Sequence, residues 1–200
     1  MRLPRTPHDI IALRNKAFEI IKERSFSRGS FVLASGRESN YYLDMKPSMF
    51  HPEGVELLSW LVLKKLEGIK VHYIGGLEVG AVPLLSPIAM ISESTGRGIP
   101  GFFVRKAVKD HGTKKRIEGV EDGDLKGMSV VILDDVTTTG ESAMTAVKAV
   151  QDAGAKVELV LSIVDREEGA TEYFEKHGIP FKSLFRGSEL LQATEPSPAP

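Results

Sequence analysis

The alternation of apolar and polar positions divides the chain into elements before any composition is considered. Ile10, Ile11, Leu13, Ala17, Phe18, Ile20 and Ile21 recur at helical spacing behind Asp9, a suitable N-cap, and predict an amphipathic helix that stops near Arg24 and Ser25. Two short β-prone runs, Phe31-Val32-Leu33 and Tyr41-Tyr42-Leu43, flank the turn-rich stretch from Ser35 to Asn40 and predict a hairpin. A helix over about residues 52–66 follows. From there the order becomes regular: an apolar run, a glycine-rich or acidic turn, a helix. Residues 71–74 lead into Gly75-Gly76-Leu77-Glu78-Val79-Gly80 and a helix to about residue 92, and residues 101–104 form a second strand. Residues 130–133 lead into Asp134-Asp135 and a helix through residue 153, and residues 157–164 lead into Asp165-Arg166. Strands alternating with helices predict parallel βαβ units and an α/β class, in which ligands sit at the carboxyl ends of the strands.

The rhythm lapses over residues 105–126, a charged and glycine-bearing stretch too long for a structureless connector unless it is functional. It reads as a mobile loop or a hairpin. Residues 1–191 are expected to form one domain, with residues 1–50 contributing a small hood, and residues 192–200, with three prolines, a flexible tail.

Charge narrows the choice of partner. The chain has 26 Lys and Arg against 27 Asp and Glu, a net charge of −1, which gives no overall reason to bind nucleic acid or an anionic membrane. The balance is uneven, however. Residues 105–118 hold six basic and two acidic side chains, so this segment carries +4 while the remainder carries −5, a distribution suited to a polyphosphate ligand. The absence of cysteine excludes disulfides, thiolate metal sites and cysteine nucleophiles, and is compatible with a cytoplasmic location. No apolar run approaches the roughly 18 residues needed to span a membrane. His8, His51, His72 and His177 have no metal-ligand spacing and are expected to be structural.

The densest chemistry lies at Asp134, Asp135, Val136, Thr137, Thr138, Thr139, Gly140, Glu141 and Ser142, directly after the apolar run 130–133. Backbone N–H groups at the start of the following helix, with hydroxyls beside them, suit a phosphate dianion. The adjacent carboxylates suit vicinal hydroxyls or a hydrated Mg²⁺. The alternative is that Asp135 and the threonines only cap the helix.

This acidic pair and its Thr-Thr-Thr-Gly turn resemble the 5-phosphoribosyl 1-pyrophosphate (PRPP) motif of the type I phosphoribosyltransferases. Two further segments resemble the orotate phosphoribosyltransferase family in particular: Ser35-Gly36-Arg37-Glu38-Ser39-Asn40-Tyr41 and Arg105-Lys106-Ala107-Val108-Lys109-Asp110-His111-Gly112. With Asp165-Arg166-Glu167-Glu168-Gly169 the similarity covers about residues 26–169 in the family's order.

The resemblance implies a type I phosphoribosyltransferase fold, a mainly parallel five-stranded sheet flanked by helices under a small N-terminal hood. It implies transfer of the phosphoribosyl group from PRPP to orotate, with Mg²⁺ on PRPP and bridged through water to Asp134 and Asp135. It assigns Arg105, Lys106, Lys109 and His111 to the pyrophosphate as a catalytic lid, with Lys109 and His111 reaching into the partner's site of a homodimer. Val79 and Gly80 fall in its pyrophosphate loop, where a cis peptide at Glu78-Val79 is expected. The turn from Val136 to Ser142 falls to the 5-phosphate, and Thr138 and Arg166 fall to orotate. Several relatives carry a lysine where this chain has Ala34, and another where it has Gly80. A purine phosphoribosyltransferase, or a PRPP-sensing regulator that binds nucleic acid, would share the acidic turn. Neither is expected to have the hood segment together with the lid.

Overall fold

The computed structural model describes residues 7–32, 38–107 and 115–194. Helix α1 (Pro7–Arg24) leads into an antiparallel hairpin of β1 (Phe26–Val32) and β2 (Glu38–Leu43), then into the short α2 (Lys46–Met49) and α3 (Pro52–Lys65). The βαβ part follows: β3 (Tyr73–Leu77), α4 (Val82–Ser94), β4 (Gly101–Val104), β5 (Ile117–Glu118), β6 (Ser129–Thr137), α5 (Glu141–Asp152) and β7 (Lys156–Asp165). Helix α6 (Ala170–Lys176), β8 (Phe181–Arg186) and α7 (Gly187–Ala193) close the described chain.

The sheet order is β5-β4-β3-β6-β7-β8. The five strands from β4 to β8 are parallel, as expected, and the two-residue β5 adds an antiparallel edge beside β4. Both faces of the central strands are covered, which is why they read as unbroken apolar runs. Along β6, Val131 and Leu133 enter the core under α1, α3 and α4, whereas Val130 and Ile132 enter the one under α5 and α6. A strand turns alternate side chains to opposite faces, so one apolar run serves two cores.

Several boundaries differ from the sequence expectation. Helix α1 begins at Pro7, so Asp9 sits in its first turn rather than at the cap. Strand β3 runs on through Gly75 and Gly76 to Leu77, because these glycines serve packing rather than a turn. A Cβ on Gly76 would lie 2.1 Å from the Leu133 carbonyl oxygen. Strand β6 continues through Asp134, Asp135, Val136 and Thr137, held by β7 in the register Asp134↔Ser162, Val136↔Val164 and Thr137↔Asp165. Helix α5 accordingly starts at Glu141.

Residues 105–126 begin as a hairpin stem: β5 pairs with β4, and the Arg105 N–H donates to the Arg116 carbonyl at 2.9 Å. Residues 108–114, with Lys109 and His111, lie outside the described residues, as do Ala34, Ser35, Gly36 and Arg37. Helices α6 and α7 and strand β8 were not legible from periodicity. The two helices have seven residues each, and β8 alternates Phe181, Lys182, Ser183, Leu184, Phe185, Arg186 without a clean period. Helix α7 extends to Ala193, past the expected start of the tail at residue 192.

Three histidines make structural bonds. His51 Nδ1 accepts from the Gly54 N–H at the start of α3, His72 Nδ1 accepts from the Ser129 N–H at 2.8 Å, and His177 Nδ1 lies 2.7 Å from the Tyr173 carbonyl.

Candidate active site

The carboxyl ends of β3, β4, β6 and β7 bring most of the predicted residues to one edge of the sheet. Asp134, Asp135, Val136 and Thr137 are the last residues of β6, Thr138, Thr139 and Gly140 form the turn, and Glu141 and Ser142 open α5. Val79 and Gly80 follow β3, Arg105 and Lys106 follow β4, and Arg166 follows β7.

The threonines do not cap α5. Among the described residues no side chain bonds its first N–H groups, and the N-cap is Gly140 in the left-handed region at φ 91°. Only glycine fits there, since a Cβ would also approach the Phe174 ring to 2.8 Å. Thr137 Oγ1 donates instead to Asp134 Oδ2 at 2.8 Å. The start of α5 is thus left with unpaired donors and the positive end of the helix dipole, the arrangement that receives a phosphate.

Asp134 and Asp135 differ in environment. Asp134 is 8% exposed, and its burial, reinforced by the neighbouring Asp135 charge, pushes its pKa up to about 7. The Thr137 hydroxyl and the Lys106 charge act against that rise. Asp135 is half-buried and its pKa is also raised by burial, opposed by the N–H of Val136 and by the Lys46 ammonium. Among the described residues neither carboxylate has an ion-pair partner within 4 Å. Two buried carboxylates in this state fit vicinal hydroxyls or the water shell of a divalent cation.

The loop after β3 contains the expected cis peptide at Glu78-Val79. Glu78 ties it to the end of β4: its N–H donates to the Val104 carbonyl at 2.8 Å, and its Oε1 accepts the Lys106 N–H at 2.9 Å. At Gly80 a Cβ would lie 2.3 Å from Asp135 Oδ1, so the Asp135 carboxylate occupies the space a side chain would need. Arg105 pairs with Glu118 of β5 at 3.5 Å, and its Nε is buried with no hydrogen-bond partner among the described residues.

Arg166 joins the hood to the sheet. Its guanidinium lies 4.2 Å from the centre of the Tyr41 ring, Nη2 donates to Ser39 Oγ at 3.1 Å, and Nε donates to Glu168 Oε1 at 2.7 Å. Its backbone N–H donates to the Thr137 carbonyl at 2.9 Å, which sets it beside the phosphate turn and Thr138. Tyr41 is itself stacked on Phe26 at 5.4 Å between centroids. A buried planar cation packed on an aromatic ring is suited to a flat anion with a carboxylate and ring carbonyls.

Reading the sequence alone did not single out Ser39 and Tyr41 as partners of Arg166. Ser39 and Tyr41 lay within the hood segment, but their shared partner Arg166 is remote in sequence.

Comparison with known proteins agrees with this geometry. The family described as Phosphoribosyl transferase domain matches residues 51–179. The orotate phosphoribosyltransferase of Bradyrhizobium diazoefficiens is 53% identical over 183 residues, which cover 91% of this chain and 98% of the relative. This chain belongs to the orotate phosphoribosyltransferase family. A more distant member from Nostoc sp. is 36% identical over 184 residues, covering 92% of this chain and 88% of its own. Among solved structures, the Mycobacterium tuberculosis H37Rv orotate phosphoribosyltransferase in complex with PRPP superposes with a TM-score of 0.74. It is 34% identical, and the match covers 89% of this chain and 98% of that one. Adenine phosphoribosyltransferase from Leishmania donovani, at 20% identity and a TM-score of 0.68, shares the fold. In this member of the family the acidic pair, the threonine-glycine turn, the cis loop and the Arg166 guanidinium lie at one sheet edge.

Proposed function

We propose that the protein transfers the phosphoribosyl group of PRPP to orotate, giving orotidine 5′-monophosphate and pyrophosphate in UMP biosynthesis. The observation that carries this reading is Arg166, buried over Tyr41 and bonded through its own N–H to the carbonyl of Thr137. It supports a receptor for a flat carboxylated base beside one for a 5-phosphate.

In this reading the backbone of Val136 to Gly140, with Glu141 and Ser142, holds the 5-phosphate, and Asp134 and Asp135 hold the ribose hydroxyls. Val79 and Gly80 line the pyrophosphate, and Thr138 and Arg166 orient orotate. A ring nitrogen of orotate gives up its proton to solvent and bonds to the ribose C1 as the bond from C1 to pyrophosphate breaks, and the electron pair of that bond leaves with the pyrophosphate. The centre formed on the way is oxocarbenium-like, so the protein's task is to neutralise the leaving group and exclude water. Arg105, Lys106, Lys109 and His111 carry out the neutralisation as the hairpin tip closes. Asp134 and Asp135 would hold Mg²⁺ through its water shell, and the ion would supply further positive charge to the diphosphate.

A homodimer and a cytoplasmic location complete the proposal. No described helix is long and apolar enough to cross a membrane. Helix α4 has no charged residue from Val82 to Ser92, yet Met90 on it is 69% exposed, as is Phe50 at 70% just beyond α2, which packs against α4. In this proposal a second copy covers this face, and Lys109 and His111 act in the neighbouring site. Met90→Glu is expected to shift the protein to monomer in sedimentation and to lower turnover with it.

The test of the reaction is the loss of orotate ultraviolet absorbance when PRPP and Mg²⁺ are added to purified protein, with uracil, hypoxanthine and adenine in parallel. Consumption of orotate alone is expected. Reaction with a purine instead would remove the role given to Arg166 and leave the phosphate turn in place.

A further inference from the structure

Tyr41 and Ser39 hold Arg166 from the hood, and Glu168 holds it from its own segment. The Arg166 side chain is only 5% exposed, and Glu168 Oε1 accepts from its Nε at 2.7 Å. The segment that returns Glu168 to Arg166 is firmly built. Glu167 takes the left-handed backbone region at φ 61°, uncommon for a residue other than glycine, and the chain bends over Glu168 and Gly169. Asp165 Oδ1 accepts the Glu167 N–H at 2.9 Å, and Glu167 Oε2 accepts the Ser188 N–H at 3.0 Å at the start of α7. The preceding Gly187 leaves room for the ring beside Arg166, since a Cβ there would lie 2.6 Å from Tyr41 Oη.

Asp165 and Glu167 thus fasten the segment, and Glu168 is turned to the guanidinium. A guanidinium can grip a carboxylate side-on, through Nε and one Nη, or end-on, through both Nη groups. With Glu168 on Nε the side-on edge is taken. Ser39 accepts one N–H of Nη2, and the guanidinium makes no further hydrogen bond to a described residue. The end-on edge is therefore the one open to a ligand.

We propose that Glu168 is a positioning residue for base recognition: it fixes Arg166 by the Nε edge and turns the Nη groups to the carboxylate of orotate. This deepens the proposed function and rests on it for the identity of the base. Ordering an arginine side chain costs rotamer freedom, and one already fastened at Nε and packed on Tyr41 loses little more when the base arrives. A buried guanidinium also needs a counter-charge while the site is empty, and Glu168 supplies it.

The test is steady-state kinetics of the full chain, with KM values for orotate and PRPP, together with the Nε–H resonance of Arg166 in NMR spectra, assigned by its loss in Arg166→Lys. Glu168→Ala is expected to shift that resonance and raise the KM for orotate about ten-fold, with the KM for PRPP changed less than about two-fold. Glu168→Gln, which retains an acceptor oxygen of the same reach, should recover most of the loss. In an Arg166→Lys background there is no Nε–H to hold, and Glu168→Ala should then change the orotate KM less than about two-fold. An unchanged orotate KM in Glu168→Ala would overturn the proposal. So would a loss that glutamine does not recover, a parallel rise in the KM for PRPP, or the full effect persisting in the lysine background. If the wild type consumes no orotate yet the Arg166 resonance responds to Glu168, the reaction assignment fails and the hold on Arg166 stands. If it consumes orotate and Glu168→Ala keeps the wild-type KM and resonance, the reaction stands and the positioning role fails.

Discussion

The floor of the site and its cover are built by different means. The floor is the end of β6 and the start of α5, nine consecutive residues from Asp134 to Ser142 whose donors are largely backbone groups fixed by the sheet and the helix. The cover consists of the hood hairpin and the stem after β4, and it acts through side chains whose partners are far away in sequence. Arg166 and Ser39, for example, are 127 residues apart. Backbone receptors at a strand end need no side-chain ordering when a ligand binds, so they suit the phosphate common to every substrate of this fold. Side chains from the cover can be exchanged without disturbing the sheet, and they suit the choice of base and the timing of closure.

The comparison can be broken or sharpened by substitution. The largest effect is expected in the lid: Lys109→Ala should reduce kcat by about 10²–10³, the usual loss on removing one donor to developing charge, with orotate binding nearly unchanged. Single-turnover and equilibrium binding measurements would separate the two, and an unchanged kcat would take the lid out of the chemistry.

The floor should respond in stability. The pKa of Asp134 is raised to about 7 in the folded protein, so the folded state binds more protons than the unfolded state between the usual carboxylate value and that value. Stability is therefore full below the unfolded pKa and is lost as the pH rises through the folded one. Asp134→Asn is expected to exceed the wild type by on the order of 2–3 kcal/mol at pH 8 without Mg²⁺, and to lose that margin toward pH 4, as followed by thermal melts. A margin independent of pH would show that Asp134 is ionised throughout.

Arg166→Ala, which removes the proposed charged partner of orotate, should lower kcat/KM for orotate by roughly 30-fold, about 2 kcal/mol, while the KM for PRPP holds. A parallel change in both would mean that Arg166 supports the phosphate turn rather than the base. The smallest effect is expected at Ser39→Ala. Loss of one hydrogen bond to Arg166 should raise the orotate KM about five-fold, near 1 kcal/mol, and leave melting almost unaltered.

The floor was legible because its signals are local. Four apolar residues in a row, two carboxylates and a threonine-glycine turn specify a buried strand, its end and a helix start within thirteen residues, 130–142. Even so, the strand end was misplaced by four residues, because the pairing of Asp134 to Thr137 with β7 is decided by a neighbour and not by local propensity. The glycines of β3 were read as a turn for a similar reason: the carbonyl of Leu133 that requires Gly76 belongs to another strand. The C-terminal elements α6, β8 and α7 had too few residues for a period to show.

By itself, then, the sequence determined the α/β order, the parallel sheet, the phosphate turn and the family, since each rests on residues that are adjacent or regularly spaced. Only the tertiary structure decided which side chains meet across the site. It stacked Arg166 on Tyr41 and set the Asp135 carboxylate against Gly80. These contacts depend on how the hood hairpin lies over the sheet, and that placement is fixed by packing between surfaces distant in the chain.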